Sequence, residues 1–322
     1  MDKKYTLGID IGGTNTVFGL VDRDGNVVAK DKIKTKGFDT FEAYLDKLQA
    51  EVTSLVEKEG LNGCIVGIGV GAPGANYHTG EINAANLNWG EKVPLKKAME
   101  EKFNLPVTVT NDANAATLGE MIYGAAKGMD DFVMITLGTG VGGGIVANGD
   151  LIYGHDGLAA ELGHVKIIRN GGRKCGCGKT GCLEAYCSSS GMVRTALEFL
   201  QTDRPSSLRQ IPQEDLTSKD VYDAAVAGDE LAEDIFKFTG ELLGDALADF
   251  TAISSPKAFI LFGGLAKSGD VLLNHVKKGF DENLLFIYQD KPEIVLSELN
   301  EDDGAVLGAS ALAWVEDEKG RD

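Results

Sequence analysis

The stretch TLGIDIGGTNTVFGLVDRDGNVVAKDKIK, residues 6–34, contains three strand-like segments separated by two turn signals, Gly12-Gly13 and Asp24-Gly25. Glycine pairs permit tight turns, and Asp-Gly between alternating apolar residues favours a β-hairpin. The same order of strand, glycine turn, strand, turn and strand recurs in FVMITLGTGVGGGIVANGDLIYG, residues 132–154. We therefore predict two related halves, each opening with three antiparallel strands.

Helical and strand patterns alternate after each opening, which predicts an α/β fold. The predicted elements are a helix at 41–59, strands at 64–70 and 106–110, helices at about 113–126, 183–200, 217–227 and 230–253, a strand at 257–262, a helix at 269–280, the strand EIVLS and a helix at about 303–315. We place a small lobe at 1–114, joined by the C-terminal helix within 303–322. A large lobe at 115–302 carries a loop-rich insert at 155–190.

Charge and hydropathy exclude several classes of protein. Lys and Arg number 31 against 49 Asp and Glu among 322 residues, a formal charge of -18. Such a surface repels nucleic acid phosphates and anionic lipids, so we expect neither as a partner. No export signal opens the chain and glycines interrupt its uncharged stretches, so we expect a cytoplasmic protein without a membrane span.

The first glycine turn has the features of a phosphate-binding loop. Gly12 and Gly13 let backbone N–H groups approach phosphate oxygens, and Thr14 and Asn15 add donors. Asp10 ends the preceding strand and is placed to hold Mg²⁺ through water. An ordinary glycine-rich hairpin is the alternative interpretation.

Two further glycine turns strengthen the case for a nucleotide. LGTGVGGG at 137–144 repeats the first device with Thr139 and Gly140, and Gly263-Gly264 follows a strand where backbone could pass close to an adenosine. The chain contains no GxxxxGK[ST] loop and no GxGxxG with a partner acid, so neither a Walker loop nor a dinucleotide fingerprint is present.

The motif TVTNDANAATLGE at 108–120 places Asn111 and Asp112 between a strand and a helix. One of the two must cap the helix, and capping is the alternative role for Asp112. Because a helix N-terminus stabilises a carboxylate, Asp112 could also act as a base toward a sugar hydroxyl.

Four residues with metal-ligand chemistry lie close together in the sequence. His164 is followed by CGCGKTGC, which supplies Cys175, Cys177 and Cys182. Three thiolates and one imidazole form a closed tetrahedral set, which is typical of structural Zn²⁺ rather than of a catalytic site. Disulfide bonding is the alternative, although the absence of an export signal disfavours it.

Two acidic residues flank this cluster. Glu161 lies in ELGH and Glu184 in CLEAY, each two or three residues from a metal ligand. Carboxylates on a rigid loop can accept hydrogen bonds from sugar hydroxyls, whereas isolated ones are usually solvated surface groups.

The motifs DIGGTN, NDANAA, LGTGVGGG, ELGH with CxCGxxGCxE, and FGG occur in the order and spacing of the ROK family (repressor, open reading frame, kinase), which the chain resembles nearly end to end. The resemblance to its bacterial glucokinases implies an actin-like, hexokinase-type (ribonuclease H-like) two-lobe fold with a duplicated βββαβα unit. It also implies ATP with Mg²⁺ as phosphoryl donor and a homodimer or a dimer of dimers.

The resemblance further implies roles for individual residues. Asp112 is similar to the catalytic base of the family, and the implied sugar ligands are Asn86, Asn111, Asp112, Glu161, His164 and Glu184. The histidine would serve metal and sugar through different ring nitrogens. Family repressors carry an N-terminal helix-turn-helix, whereas here the first strand begins at about residue 5, so we expect no DNA-binding module.

We therefore expect an ATP-dependent kinase that phosphorylates the 6-hydroxyl of a hexose, most simply glucose. Kinases for N-acetylhexosamines, mannose or fructose share every motif above and stay open. A sugar sensor that binds without phosphoryl transfer is a third possibility, which the presence of Asp10 and Asp112 disfavours.

Overall fold

The computed structural model, which describes residues 4–84, 89–90, 92–288 and 292–319, divides into two compact units. Unit 1 comprises Met1–Gly128, Leu151–Ala159 and Glu298–Asp322, and unit 2 comprises Met129–Asp150 and Ala160–Ser297. In chain order the strands are β1 (Tyr5–Ile11), β2 (Asn15–Val21), β3 (Val27–Lys34), β4 (Ile65–Gly71), β5 (Val107–Thr110), β6 (Phe132–Leu137), β7 (Val141–Ala147), β8 (Asp150–Leu151), β9 (Ala258–Phe262) and β10 (Glu293–Leu296). The α-helices are α1 (Phe41–Lys58), α2 (Leu95–Phe103), α3 (Asp112–Tyr123), α4 (Glu184–Cys187), α5 (Ser189–Phe199), α6 (Ser218–Val226), α7 (Glu230–Ser254), α8 (Asp270–Asn283) and α9 (Glu301–Lys319).

The two units contain five-stranded sheets of the same strand order. The order is β3-β2-β1-β4-β5 in unit 1 and, correspondingly, β8-β7-β6-β9-β10 in unit 2. In each sheet the first strand of the unit pairs antiparallel with the second and parallel with the fourth. The α/β fold and the duplication of its opening are thereby confirmed.

Helix α1 begins where the sequence predicts it, because Thr40 caps it through a hydrogen bond from the Ala43 N–H to the threonine Oγ1 (3.1 Å). Its buried side chains are the residues at helical spacing, Phe41, Tyr44, Leu45, Leu48, Val52, Leu55 and Val56. This face covers the sheet of unit 1 as part of one apolar cluster.

The backbone of helix α9 packs directly against the backbones of β1 and β4. A Cβ atom on Gly8 would lie 2.2 Å from a carbonyl oxygen of α9, and one on Gly69 would lie 1.8 Å from another. On the helix itself, a Cβ on Gly308 would lie 2.6 Å from the Ala115 carbonyl oxygen of α3. No larger residue fits at these three positions, and α9 completes the core of unit 1.

Some elements differ from the prediction. Helix α2 was not predicted, because it buries only Leu95 and Met99 and Pro94 gives it no side-chain cap. The predicted helix at 183–200 is two helices, since Ser188 is extended between them and caps α5. In the part of the chain that the structure describes, no helix is both long enough and apolar enough to cross a membrane.

Candidate functional site

Two carboxylates lie at the carboxyl ends of neighbouring parallel strands in unit 1. Asp10 on β1 pairs in register with Gly71 on β4, and Gly71 pairs with Thr110 on β5, two residues before Asp112. A Cβ built on Gly71 would lie 3.8 Å from Asp10 Oδ1 and 3.9 Å from the Cα of Asp112. The glycine therefore lies between the two acids, where a Cβ would also come within 3.1 Å of the Ala115 Cβ.

This arrangement makes Asp10 an unusual carboxylate. Burial, followed by the negative charge of Asp112, raises the pKa of Asp10 from 3.8 to about 6. Both causes act against ionisation, and no cationic side chain of the described residues offsets them. A divalent cation shared with phosphate oxygens would offset both, so the acid fits the Mg²⁺ role predicted for it.

Asn111 is the residue that caps α3. Its Oδ1 accepts a hydrogen bond from the Asn114 N–H at 2.7 Å. Asp112 is the first residue of the helix, and its Oδ1 accepts from the Ala113 N–H at 3.0 Å. Among the described residues nothing bonds the Asp112 Oδ2. The capping alternative for Asp112 is wrong, and its second oxygen can accept a proton from a substrate.

The first glycine turn joins β1 to β2 in the same unit. The Gly12 N–H donates to the Asn15 carbonyl oxygen at 3.0 Å, while Gly13 and Thr14 are exposed. Beneath the turn, the buried Thr16 hydroxyl bonds the hydroxyls of Thr35 (2.9 Å) and Tyr44 (2.8 Å). The turn is thus a supported bend with exposed backbone, as a phosphate loop requires.

The other two glycine turns are neighbours in unit 2, because they follow the adjacent parallel strands β6 and β9. Gly263 has a φ of +104°, and a Cβ there would lie 2.7 Å from the Leu137 carbonyl oxygen at the end of β6. Gly264 follows it, and the turn that contains Thr139 begins directly after Leu137, where the Gly138 N–H donates to the Gly140 carbonyl oxygen (3.0 Å).

Glu184 lies against the turn that contains Thr139 and Gly140. Its Oε2 accepts from the Val141 N–H at 3.1 Å, and a Cβ on Gly140 would lie 2.4 Å from the same oxygen. Thr139, Cys175 and Glu184 also line one cavity of about 240 Å³. A predicted sugar ligand, a predicted metal ligand and a predicted nucleotide turn therefore meet within unit 2.

The predicted metal ligands converge. One ligand atom from each of His164, Cys175, Cys177 and Cys182 lies within 4.8 Å of all the others. The Cys177 and Cys182 sulfurs are 3.7 Å apart, and Cys175 Sγ is 3.7 Å from His164 Nδ1. Tetrahedral Zn²⁺ with its usual bond lengths requires ligand atoms about 3.5–3.8 Å apart. The four residues fit a zinc ion, and no hydrogen bond within the described part of the chain engages the His164 Nε2.

The protonation of the cysteines is consistent with a metal site. Burial raises the pKa of Cys175 to about 12, whereas the Lys179 backbone N–H lowers the pKa of Cys177. A buried thiol with a raised pKa becomes a thiolate only with a cation beside it, so metal binding must release protons here.

A tight bend places Glu161 and His164. The Leu162 N–H donates to the Ala160 carbonyl oxygen at 2.6 Å, and Ala160 has a φ of +65°. A Cβ on Gly163 would lie 2.0 Å from the Val141 carbonyl oxygen, so the short helical turn at 162–164 packs directly on β7. This contact holds the histidine beside the metal loop.

The predicted sugar ligands come from both units. The structure places Asn111 and Asp112 in unit 1 and Glu161, His164 and Glu184 in unit 2, and Asn86 lies outside the described residues. Sequence reasoning missed Gly71, because its place between the two acids depends on the register of β1, β4 and β5.

The repeated sheet order and the paired glycine turns define the actin-like, hexokinase-type (ribonuclease H-like) fold, in which solved structures of sugar kinases match this chain. A sequence model of the ROK family matches residues 6–316, and the chain belongs to that family.

Three relatives illustrate the likeness. A glucokinase of Halalkalibacterium halodurans is 38% identical over 96% of this chain and 94% of its own length. An N-acetylmannosamine kinase of Shigella boydii is 31% identical over 96% of this chain and 98% of its own. The crystal structure of a ROK family glucokinase from Streptomyces griseus in complex with glucose and AMPPNP has a TM-score of 0.78 and 33% identity, covering 97% of this chain and 99% of that one.

Proposed function

We propose that this chain is an ATP-dependent sugar kinase that transfers the γ-phosphoryl group of ATP to the 6-hydroxyl of glucose. The observation that carries the proposal is the placement of Asp10 and Asp112 on either side of Gly71. Asp10 is suited to bind a magnesium ion. Among the described residues, no hydrogen bond engages the second carboxylate oxygen of Asp112. Full-length similarity to proteins named glucokinase supports glucose as the substrate.

In unit 1, Asp112 is the general base, and Asp10 would hold Mg²⁺. Asn111 uses its Oδ1 in the helix cap, which leaves its amide nitrogen to donate to a sugar hydroxyl. Gly12, Gly13, Thr14 and Asn15 present backbone and side-chain donors to phosphate. Asn86 is a further proposed sugar contact.

In unit 2, Glu161, His164 and Glu184 bind sugar hydroxyls. A zinc ion on His164 Nδ1 would fix the proton on Nε2, which then donates to the sugar. Thr139 and Gly140 contact phosphate, and the backbone of Gly263 and Gly264 lies close to the adenosine.

Asp112 need not be a strong base. The transition state of phosphoryl transfer is loose, so the hydroxyl proton leaves late and positioning supplies most of the rate. Magnesium, when bound, neutralises charge that develops on the phosphate oxygens. Excluding water prevents ATP hydrolysis while the bound hydroxyl reacts.

We further propose that the metal is structural Zn²⁺, that the protein is cytoplasmic, and that it is a homodimer. For zinc, Cys177→Ser is expected to lose the metal and raise the KM for glucose, because the ligand set closes the loop that carries Glu184. Cys177 is the exposed cysteine of the cluster, so its replacement leaves no core cavity. Elemental analysis and steady-state kinetics measure the two effects.

The matched control for this variant is Cys64→Ser, which belongs to unit 1 and not to the ligand set, and which should change neither readout. Wild-type protein with less than about a tenth of an equivalent of zinc per chain would contradict the structural zinc, since a closed Cys₃His site stays occupied.

The alternative substrates are N-acetylhexosamines, mannose and fructose, and similarity to an N-acetylmannosamine kinase keeps the first of them open. A panel of these sugars and glucose with MgATP, scored by ADP release, tests the proposal. We expect the highest kcat/KM with glucose. No sugar-dependent ADP release with any of them would instead indicate a sensor.

A further inference from the structure

Arg173 is a cation buried inside the metal loop. Its side chain is only 7% exposed, and its Nε and NH2 groups donate to the two oxygens of Glu198 at 3.0 and 2.5 Å. Burying a charge is costly unless it is paired and hydrogen-bonded. The groups that bond Arg173 must therefore keep their positions around the guanidinium.

The remaining contacts of Arg173 fall on either side of Cys182 and Glu184. Its carbonyl oxygen accepts from the Gly181 N–H (2.9 Å), and its own N–H donates to the Tyr186 hydroxyl (2.7 Å). The NH1 group lies 3.1 Å from the Ala185 carbonyl oxygen, and the guanidinium stacks 4.5 Å from the Tyr186 ring centre.

The same guanidinium also holds the start of α5. NH1 lies 3.2 Å from the Gly191 carbonyl oxygen and 2.9 Å from the Thr195 hydroxyl. Arg173 is itself two residues before Cys175. Arg173 therefore joins both arms of the metal loop to α4 and α5, on which Glu184 and Ser190 line the cavity beside Thr139: its backbone bonds the Gly181 arm, and its guanidinium bonds the two helices.

We infer that Arg173 is a positioning residue that sets Cys182 and Glu184 relative to Cys175, and so couples metal retention to hexose binding. The hexose part of this inference rests on the proposed function. Lysine cannot replace the arginine here, because an ammonium group cannot make the forked contact with Glu198 while also reaching two helices.

The test compares Arg173→Lys with the control variant Arg209→Lys. Arg209 also donates to backbone carbonyl oxygens in unit 2, those of Leu200 and Arg204. It differs from Arg173 in being exposed and in lying near the C-terminal end of α5. For Arg173→Lys we expect the KM for glucose to rise about 10–100-fold, the range for residues that orient ligands, with the KM for ATP within about threefold. Zinc release to a colorimetric chelator, measured without substrate, should be about tenfold faster or more. Arg209→Lys should lower only the melting temperature.

Equal zinc release and equal KM values for glucose in the two variants would overturn the inference, as would a wild-type protein that binds no zinc. If Arg173→Lys does not fold, Glu198→Gln removes half of the paired charge from a partly exposed position and must shift the same two readouts. If the wild type phosphorylates no sugar, the proposed function fails, whereas the zinc-release comparison still decides whether Arg173 positions the metal loop.

Discussion

Replacing Asp112 by asparagine is expected to lower kcat by roughly 10²–10⁴-fold, the usual contribution of a general base, with little change in glucose affinity. Asparagine keeps the size of the side chain and can still bond a hydroxyl, but it cannot take the proton. The variant should fold, because Asn111 rather than Asp112 caps α3. Coupled ADP release gives kcat, and calorimetry gives the dissociation constant for glucose.

The control is Asp220→Asn, which also alters an aspartate in the first turn of a helix. Asp220 completes the capping box of α6 with Thr217, so its loss should cost stability and leave kcat unchanged. Turnover of Asp112→Asn within about threefold of wild type would remove Asp112 from the role of base.

Replacing Asp10 by asparagine is expected to have opposite effects on stability and activity. Because the folded-state pKa of Asp10 is raised from 3.8 to about 6, ionising this carboxyl destabilises the folded state by up to roughly 3 kcal/mol. This destabilisation develops as the pH rises from about 4 to about 6 and persists above that range. Asparagine resembles the neutral acid, so the variant should be the more stable protein at pH 7.5 without Mg²⁺.

Activity should change in the other direction, because asparagine cannot hold magnesium as a carboxylate does. A loss of kcat of roughly 10²–10³-fold is expected, the scale for removing one electrostatic contact to a transition state. Urea unfolding of both proteins at pH 4.5 and 7.5 measures the stability difference, which should shrink at the lower pH. A variant less stable than wild type at pH 7.5 would refute the role of the buried charge.

The duplication could be predicted because it rests on local signals. The glycine turns after β1 and β6 and the Asn148-Gly149 turn are encoded by neighbouring residues, and both positions of the latter have positive φ as predicted for a two-residue turn. The convergence of His164 with the three cysteines could also be predicted, since these residues lie within 19 positions of one another.

Long-range contacts account for what the sequence did not reveal. Nothing local to Arg173 distinguishes it from a surface arginine, and its partners at Glu198 and Phe238 lie far along the chain. Gly71 acquires its meaning only when the register of β1, β4 and β5 is known. Whether Asn111 or Asp112 caps α3 depends on which of two neighbouring residues begins the helix, and sequence patterns do not locate helix ends that closely.

The close packing of the α9 backbone against Gly8 and Gly69 also affects how the protein folds during synthesis. During vectorial synthesis even the last strand of the unit 1 sheet, which ends at Thr110, precedes the helix that begins at Glu301 by 191 residues. Until then, part of that sheet has no apolar cover and is open to mispairing, while the intervening unit 2 can already fold. Nascent unit 1 is therefore the part of this protein for which chaperones would have the longest interval to act.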